Sequence, residues 1–188
     1  MGNTRKTPGG EVLLETSELI IRGQKRVRVP FAEMKSLAAN GGTLSFRFRN
    51  EDYALDLGAD AAKWLEKIRN PKSVIEKLGV KAGQRIALVN VDRTFLGDAD
   101  VTIVKKNADI VFYGANTRAD LARIAELREL LVPNGALWII RPKGVKEITE
   151  AETMTAGKAA GLVDVKVVRF SDTQTAEKFV IPLASRKT

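Results

Sequence analysis

Hydrophobic and polar positions alternate with period two through the N-terminal part of the chain. In RVRV, Val27 and Val29 face one way while Arg26 and Arg28 face the other. In LSFRFR, Leu44, Phe46 and Phe48 oppose Ser45, Arg47 and Arg49. Alternation of this kind predicts half-buried antiparallel strands. GEVLLETSELIIRG before them and EDYALDLG after them read as further strand material, and Met34 to Ala38 as a short irregular or strand segment. Asn40-Gly41-Gly42 and Asn50-Glu51-Asp52 supply the turn chemistry between strands. The period then changes. Ala61, Trp64, Leu65 and Ile68 fall at i, i+3, i+4 and i+7, one apolar stripe of a helix that Asn70-Pro71 ends.

Beyond Ser73 the pattern changes again. A short helix, SVIEKLG, leads into a strand over Arg85 to Val91; DVTIV and ADIVFYG read as two more strands. NTRADLARIAELRELL predicts a helix capped by Thr117, with Asp120 three residues on and Leu121, Ile124, Leu127 and Leu131 as its buried stripe. Pro133-Asn134-Gly135 turns into the strand ALWIIRP. The helix TEAETMTAGKAAG and the strands VDVKVVRF and EKFVIPL follow. Strands alternating with helices predict a layered, mostly parallel α/β sheet with right-handed crossovers. The expected organisation is a disordered N-terminus over 1–10, a strand-rich domain over 11–71 and an α/β domain over 73–188. Trp64 and Trp138 are expected to be core residues, one in each domain.

Composition narrows the chemistry. The chain has 188 residues, 44% hydrophobic and 29% charged, as in ordinary globular proteins. Its longest apolar run, Ala136 to Ile140, is far short of the roughly 18 residues of a membrane span. The first residues, MGNTRKTPGG, lack the apolar core of a secretory signal, and Lys6 stands where a myristoylation pattern needs Ser or Thr. A cytoplasmic location is expected. Cysteine and histidine are both absent, which excludes disulfides, thiolate nucleophiles, His-dependent triads and zinc sites of the usual kind. Net charge is +8, with 13 basic and 9 acidic residues up to Lys72 and 18 and 14 beyond it. So even a spread is weaker evidence for nucleic acid than a basic tail would be.

Several motifs carry a resemblance. KLGVKAGQRIALVNVDRTF, Lys77 to Phe95, resembles the entry to a class I methyltransferase, where the segment reads roughly K-P-G-x-R-[apolar]-x-D-x-G-x-G-x-G. Lys81, Gly83 and Arg85 keep the lead-in. Leu88 stands where the carboxylate belongs, and Asn90, Asp92 and Thr94 stand at the three glycine positions. LVPNGALWIIRPKG and AGLVDVKVVRF…AEKFVIP resemble the family's late strands, including an antiparallel last pair. The combination of KLGVKAGQR, LWIIRPKG and AGKAAGLVDVKV is similar to the bacterial "domain of unknown function 3052" family, a reduced Rossmann-like relative of methyltransferases. Residues 11–71, short antiparallel strands followed by one Trp-bearing helix, resemble a PH-like or GRAM-like domain. The fold class these likenesses imply is α+β overall. A small antiparallel PH-like sheet with a C-terminal helix precedes a reduced Rossmann-like, methyltransferase-type sheet with an antiparallel last strand.

The same likeness implies no S-adenosylmethionine site, because every residue expected to hold that cofactor is replaced. Lys105-Lys106-Asn107 also replaces the acid expected after the second strand, and only Asp92 to Asp100 separates the first two strands, too short for a full crossover helix. No cofactor and no metal are expected. Asp92, Asp98 and Asp100 could gather oxygen ligands for a divalent cation, but turn-forming aspartates explain them equally well. The leading reading is therefore a non-catalytic interaction or scaffolding module, not an enzyme. A second is a small anionic metabolite binder or enzyme using a basic edge formed by Arg118, Arg141 and Lys143, with Lys146 near it. Arg118 in a first helical turn opposes the helix dipole and asks for an anion nearby. A third is an anionic lipid, RNA or acidic protein bound by Arg26, Arg28, Arg47 and Arg49. If their two strands pair, all four project from one face, with Asp56 offsetting part of the charge.

Overall fold

The computed structural model describes residues 3–7 and 9–186. The chain divides into two compact units, Met1–Lys72 and Ser73–Thr188. In the first, β1 (Asn3–Thr7), β2 (Gly10–Leu14), β3 (Glu18–Arg22) and β4 (Arg26–Pro30) form one antiparallel sheet in sequence order. β5 (Lys35–Asn40), β6 (Thr43–Phe48) and β7 (Glu51–Asp56) form a second, and α1 (Ala61–Arg69) follows. The N-terminal residues expected to be disordered thus include a strand, β1, paired along its length with β2. Met1, Gly2 and Pro8 lie outside the described residues.

Period two decides what the first unit buries. Leu44, Phe46 and Phe48 of β6 are buried together with Val12, Leu19, Val29 and Leu55. The stripe of α1 closes this core through Ala61, Trp64 and Ile68, and Trp64 is fully buried. Burial of each large apolar side chain is worth about 1.5–3 kcal/mol, so these few residues dominate the unit's stability. The β6–β7 hairpin turns at Arg49 and Asn50, both at positive φ, one residue earlier than the turn chemistry suggests. Glu51 and Asp52 consequently belong to β7.

The second unit starts with α2 (Val74–Leu78), which carries a Ser73/Glu76 capping box. Its six strands are β8 (Gln84–Val89), β9 (Val101–Ile103), β10 (Ala108–Gly114), β11 (Leu131–Pro142), β12 (Val163–Arg169) and β13 (Gln174–Val180). They lie in the order β12-β13-β11-β10-β8-β9. β9, β8, β10 and β11 are parallel, and β13 and β12 continue the sheet antiparallel. The chain is a mixed α/β protein, and this sheet is Rossmann-like, with the expected antiparallel end.

Alternate residues of the central strands feed two cores. Val111, Tyr113, Leu137 and Ile139 join one cluster, and Ile110, Phe112, Trp138 and Ile140 join the other. The first is covered by α3 (Ile124–Arg128) and α4 (Glu150–Ala159), whose buried residues include Ile124, Leu127 and Gly157. Space there is tight: a β-carbon on Gly157 would meet the Phe179 ring at 2.3 Å. The second cluster takes in Leu78 of α2 and Leu96 of a 3-10 turn, Arg93–Leu96. Trp138 is fully buried, and its indole N–H donates to the Leu78 carbonyl at 3.0 Å.

Candidate functional site

Open α/β sheets bind ligands beyond the carboxyl ends of their strands, where neighbouring connections leave in opposite directions. In this sheet that point lies between β8 and β10. Asn90 follows β8 in the left-handed region, φ 54°, a conformation asparagine tolerates better than most residues. Its side-chain amide donates to the Gly114 carbonyl at 2.7 Å, across the mouth of the crevice. The two backbones are so close that a β-carbon on Gly114 would lie 2.1 Å from the Asn90 carbonyl oxygen. Asp92 accepts from the Thr94 amide at 2.7 Å and starts the 3-10 turn; the Thr94 hydroxyl and then its amide hold the carboxyl below the usual range. Phe95 packs edge-on against Phe112 and Phe170, with centroids at 5.0 and 5.2 Å. Side chains thus occupy the place where an S-adenosyl cofactor needs bare glycine backbone and a long helix N-terminus. The residues present do not fit that cofactor at this crevice.

The basic edge is built differently from its appearance in sequence. Arg118 leads a 3-10 turn, Arg118–Arg123, and its guanidinium pairs with Glu152 of α4 at 2.5 Å. The anion that its position demands is thus internal. Thr149 fixes Glu152 in turn, donating to it from backbone and hydroxyl, and these bonds with Arg118 hold the carboxyl below the usual range. Asp120 accepts from the amides of Asn116 and Thr117 and from the Thr117 hydroxyl, which lowers its titration too. Arg141 is only 7% exposed and bonds Glu177 at 2.7 Å, with Glu150 at 3.8 Å. Burial pushes the Glu177 carboxyl up, and Arg141 opposes that shift. Lys143 donates to the Ser171 carbonyl at 2.8 Å. Glu152 and Glu177 were not legible as partners, because pairing across elements leaves no local spacing.

The four arginines of the first unit do not share a sheet. β4 pairs with β3 and β6 pairs with β5 and β7, so the expected single face of Arg26, Arg28, Arg47 and Arg49 does not form. Arg28 makes a two-pronged pair with the buried Glu18. Arg47 makes one with Asp52, its cross-strand neighbour, so the offsetting acid is Asp52 and not Asp56. Arg49, in the hairpin turn, lies over the Phe48 ring at 5.0 Å. Arg26 stands opposite Arg22, which pairs with Glu11.

A cavity of about 570 Å³ lies elsewhere, between the 3-10 turn with α3 on one side and α4 on the other. Leu121 and Ile124 form its floor, and Ala125, Ala151, Ala156 and Ala159 line its walls. Arg118 and Glu152 stand at one end. That end is the carboxyl edge of β10 and β11, since both flanking segments begin there. The small residues of α4 carry the only sequence signal for it: they repeat at helical spacing where larger apolar residues normally cover a sheet.

No family model matches the sequence, and no curated protein matches it. Among solved structures the chain is similar to a SAM-dependent methyltransferase from Aquifex aeolicus. Identity is 15% and the TM-score 0.47, over 62% of this chain and 93% of that one. It is also similar to a TehB-like SAM-dependent methyltransferase from Corynebacterium glutamicum, with 9% identity and a TM-score of 0.41 over 65% and 96%. A third is magnesium protoporphyrin IX methyltransferase from Synechocystis, with 11% identity and a TM-score of 0.43 over 57% and 78%. These neighbours overturn the expectation of a non-catalytic interaction or scaffolding module that is not an enzyme, since each is a methyltransferase by name. The likeness itself is one of fold.

Proposed function

We propose that this protein acts on a small molecule, held in the groove between α3 and α4 of its methyltransferase-type unit and not in the β8–β10 crevice. The groove carries this reading: its volume falls in the range of small-molecule sites, its walls are mostly apolar, and its charged groups, Arg118 and Glu152, stand together at one end. Arg118 gives one edge of its guanidinium to Glu152, and its side chain is 69% exposed, so further N–H donors face outward. The ligand class this favours is an apolar body bearing one anionic group. Calorimetric titration with decanoate tests it. Binding at about 1 mM or tighter is expected, weakened at least tenfold by Ala125→Trp and weaker for decanol. Equal binding to the Ala125→Trp protein would place the ligand elsewhere.

The strand-rich unit is read as PH-like, supported by its four-plus-three antiparallel strands and closing helix. Kinship with the domain of unknown function 3052 family is supported by the KLGVKAGQR, LWIIRPKG and AGKAAGLVDVKV motifs. A cytoplasmic site of action agrees with the cysteine-free composition. No helix among the described residues is long and apolar enough to cross a membrane.

A further inference from the structure

On the opposite face of the same sheet, two lysines meet over one tryptophan. β13 sets Lys178 opposite Trp138 of β11 on one side and opposite Lys166 of β12 on the other. Both ammonium groups lie over the indole ring, Lys166 at 5.6 Å and Lys178 at 5.9 Å from its centroid. The ring attracts each cation, but like charges directly across strands repel, and one shared ring does not relieve that. Nearby acceptors on α2 are already engaged. The Lys77 carbonyl takes the Lys166 ammonium at 2.7 Å, and the Leu78 carbonyl takes the Trp138 N–H.

Lys166 is therefore anchored by the Lys77 carbonyl, while Lys178 has no carboxylate partner among the described residues. Its strand neighbour Glu177 points to the other face, where it pairs with Arg141. Trp138 faces Lys178 from β11, Lys166 faces it from β12, and α2 presents the two engaged carbonyls. Burial pushes the Lys178 ammonium down, and Lys166 pushes it further. Desolvation beside a second cation is how proteins activate a lysine amine. Lys178 stays half-buried, hence reachable.

We propose that Lys178 is a nucleophilic lysine that captures an aldehyde or ketone bearing an anionic group, with Lys166 as the partner of that anion. The neutral Nζ attacks the carbonyl carbon and a C–N bond forms. The carbonyl oxygen leaves as water with the two amine protons, giving an imine without net oxidation or reduction. The test treats the intact protein at pH 7.5 with 4-formylbenzoate and cyanoborohydride, which traps an imine as a secondary amine, and follows each lysine by peptide mass mapping. Lys178 is expected to react about tenfold faster than the exposed Lys25 and Lys158, with a pH midpoint below that of those lysines. Lys178→Arg removes the fast label. Lys166→Gln slows it several-fold and moves the midpoint up, and benzaldehyde shows less preference for the site. The proposal is overturned if Lys178 reacts no faster than Lys25, or if Lys166→Gln changes neither rate nor midpoint.

Discussion

Two places at the carboxyl edge of one sheet, the β8–β10 crevice and the α3–α4 groove, are built in opposite ways. The crevice lies where the fold ordinarily takes its ligand, yet the Asn90 amide bridges it to the Gly114 carbonyl, and Phe95 of the following turn packs on Phe112. The groove lies where helices ordinarily pack against each other, yet its walls are alanines that stop short of meeting. What opens space is the absence of a side chain at a point where larger neighbours hold the backbones apart. Leu121 and Ile124 do that beneath the groove. In the crevice the backbones already touch at Gly114, so side chains only finish the closure.

The largest effect should come from adding one carbon at that contact. Gly114→Ala sets a methyl 2.1 Å from the Asn90 carbonyl oxygen, and backbone cannot swing aside as a side chain can. A loss of about 3 kcal/mol is expected in urea unfolding. A loss below 0.5 kcal/mol would mean that the crevice can open, and the contrast with the groove would collapse.

Asn90 divides the next effect into two parts. Asn90→Ala loses the bond to Gly114 and forces an alanine to φ 54°, and should cost about 2 kcal/mol. Asn90→Gly loses the bond but not the conformation, and should cost about 1 kcal/mol. If the two substitutions cost the same, the left-handed backbone contributes nothing and the seal is the hydrogen bond alone.

Most strands and helices were legible because alternation and helical stripes report which face is buried. Val27 and Val29, Leu44 and Phe46, and Trp64 with Ile68 all behave as their spacing requires. Alternation does not report partners. Arg28 and Arg47 do point outward, but nothing local says that their strands belong to different sheets or that Glu18 and Asp52 meet them. Arg118 was a nearer miss: its unfavourable place in a first turn signalled an anion, and the anion is Glu152, distant in sequence. The erased glycine loop was visible as Asn90, Asp92 and Thr94. That Asn90 would bridge to Gly114 was not, because the bridge depends on two strands lying side by side.

The finest distinction concerns acid. An ionised carboxylate joins the groove's two walls, Glu152 bonding Arg118 across the gap, and a second, Asp120, gathers the turn after β10 within one wall. The crevice is sealed by a neutral amide. Glu152 and Asp120 titrate below their usual range in the fold. A carboxylate with a lowered folded value contributes stability fully above its unfolded value, near 4, and loses it as pH falls through the folded value. Lowering the pH from about 6 to about 3 should therefore loosen the groove before the crevice. Amide hydrogen exchange, corrected for its intrinsic pH dependence, should show protection falling first over residues 116–128 and 149–160. Residues 89–91 and 113–115 should hold. Glu152→Gln should show the looser groove already at pH 7 and converge with the parent chain in acid. Loss of protection at both places together would show that the walls of the groove are held by packing on Leu121 and Ile124, and that the ion pair at its mouth contributes little.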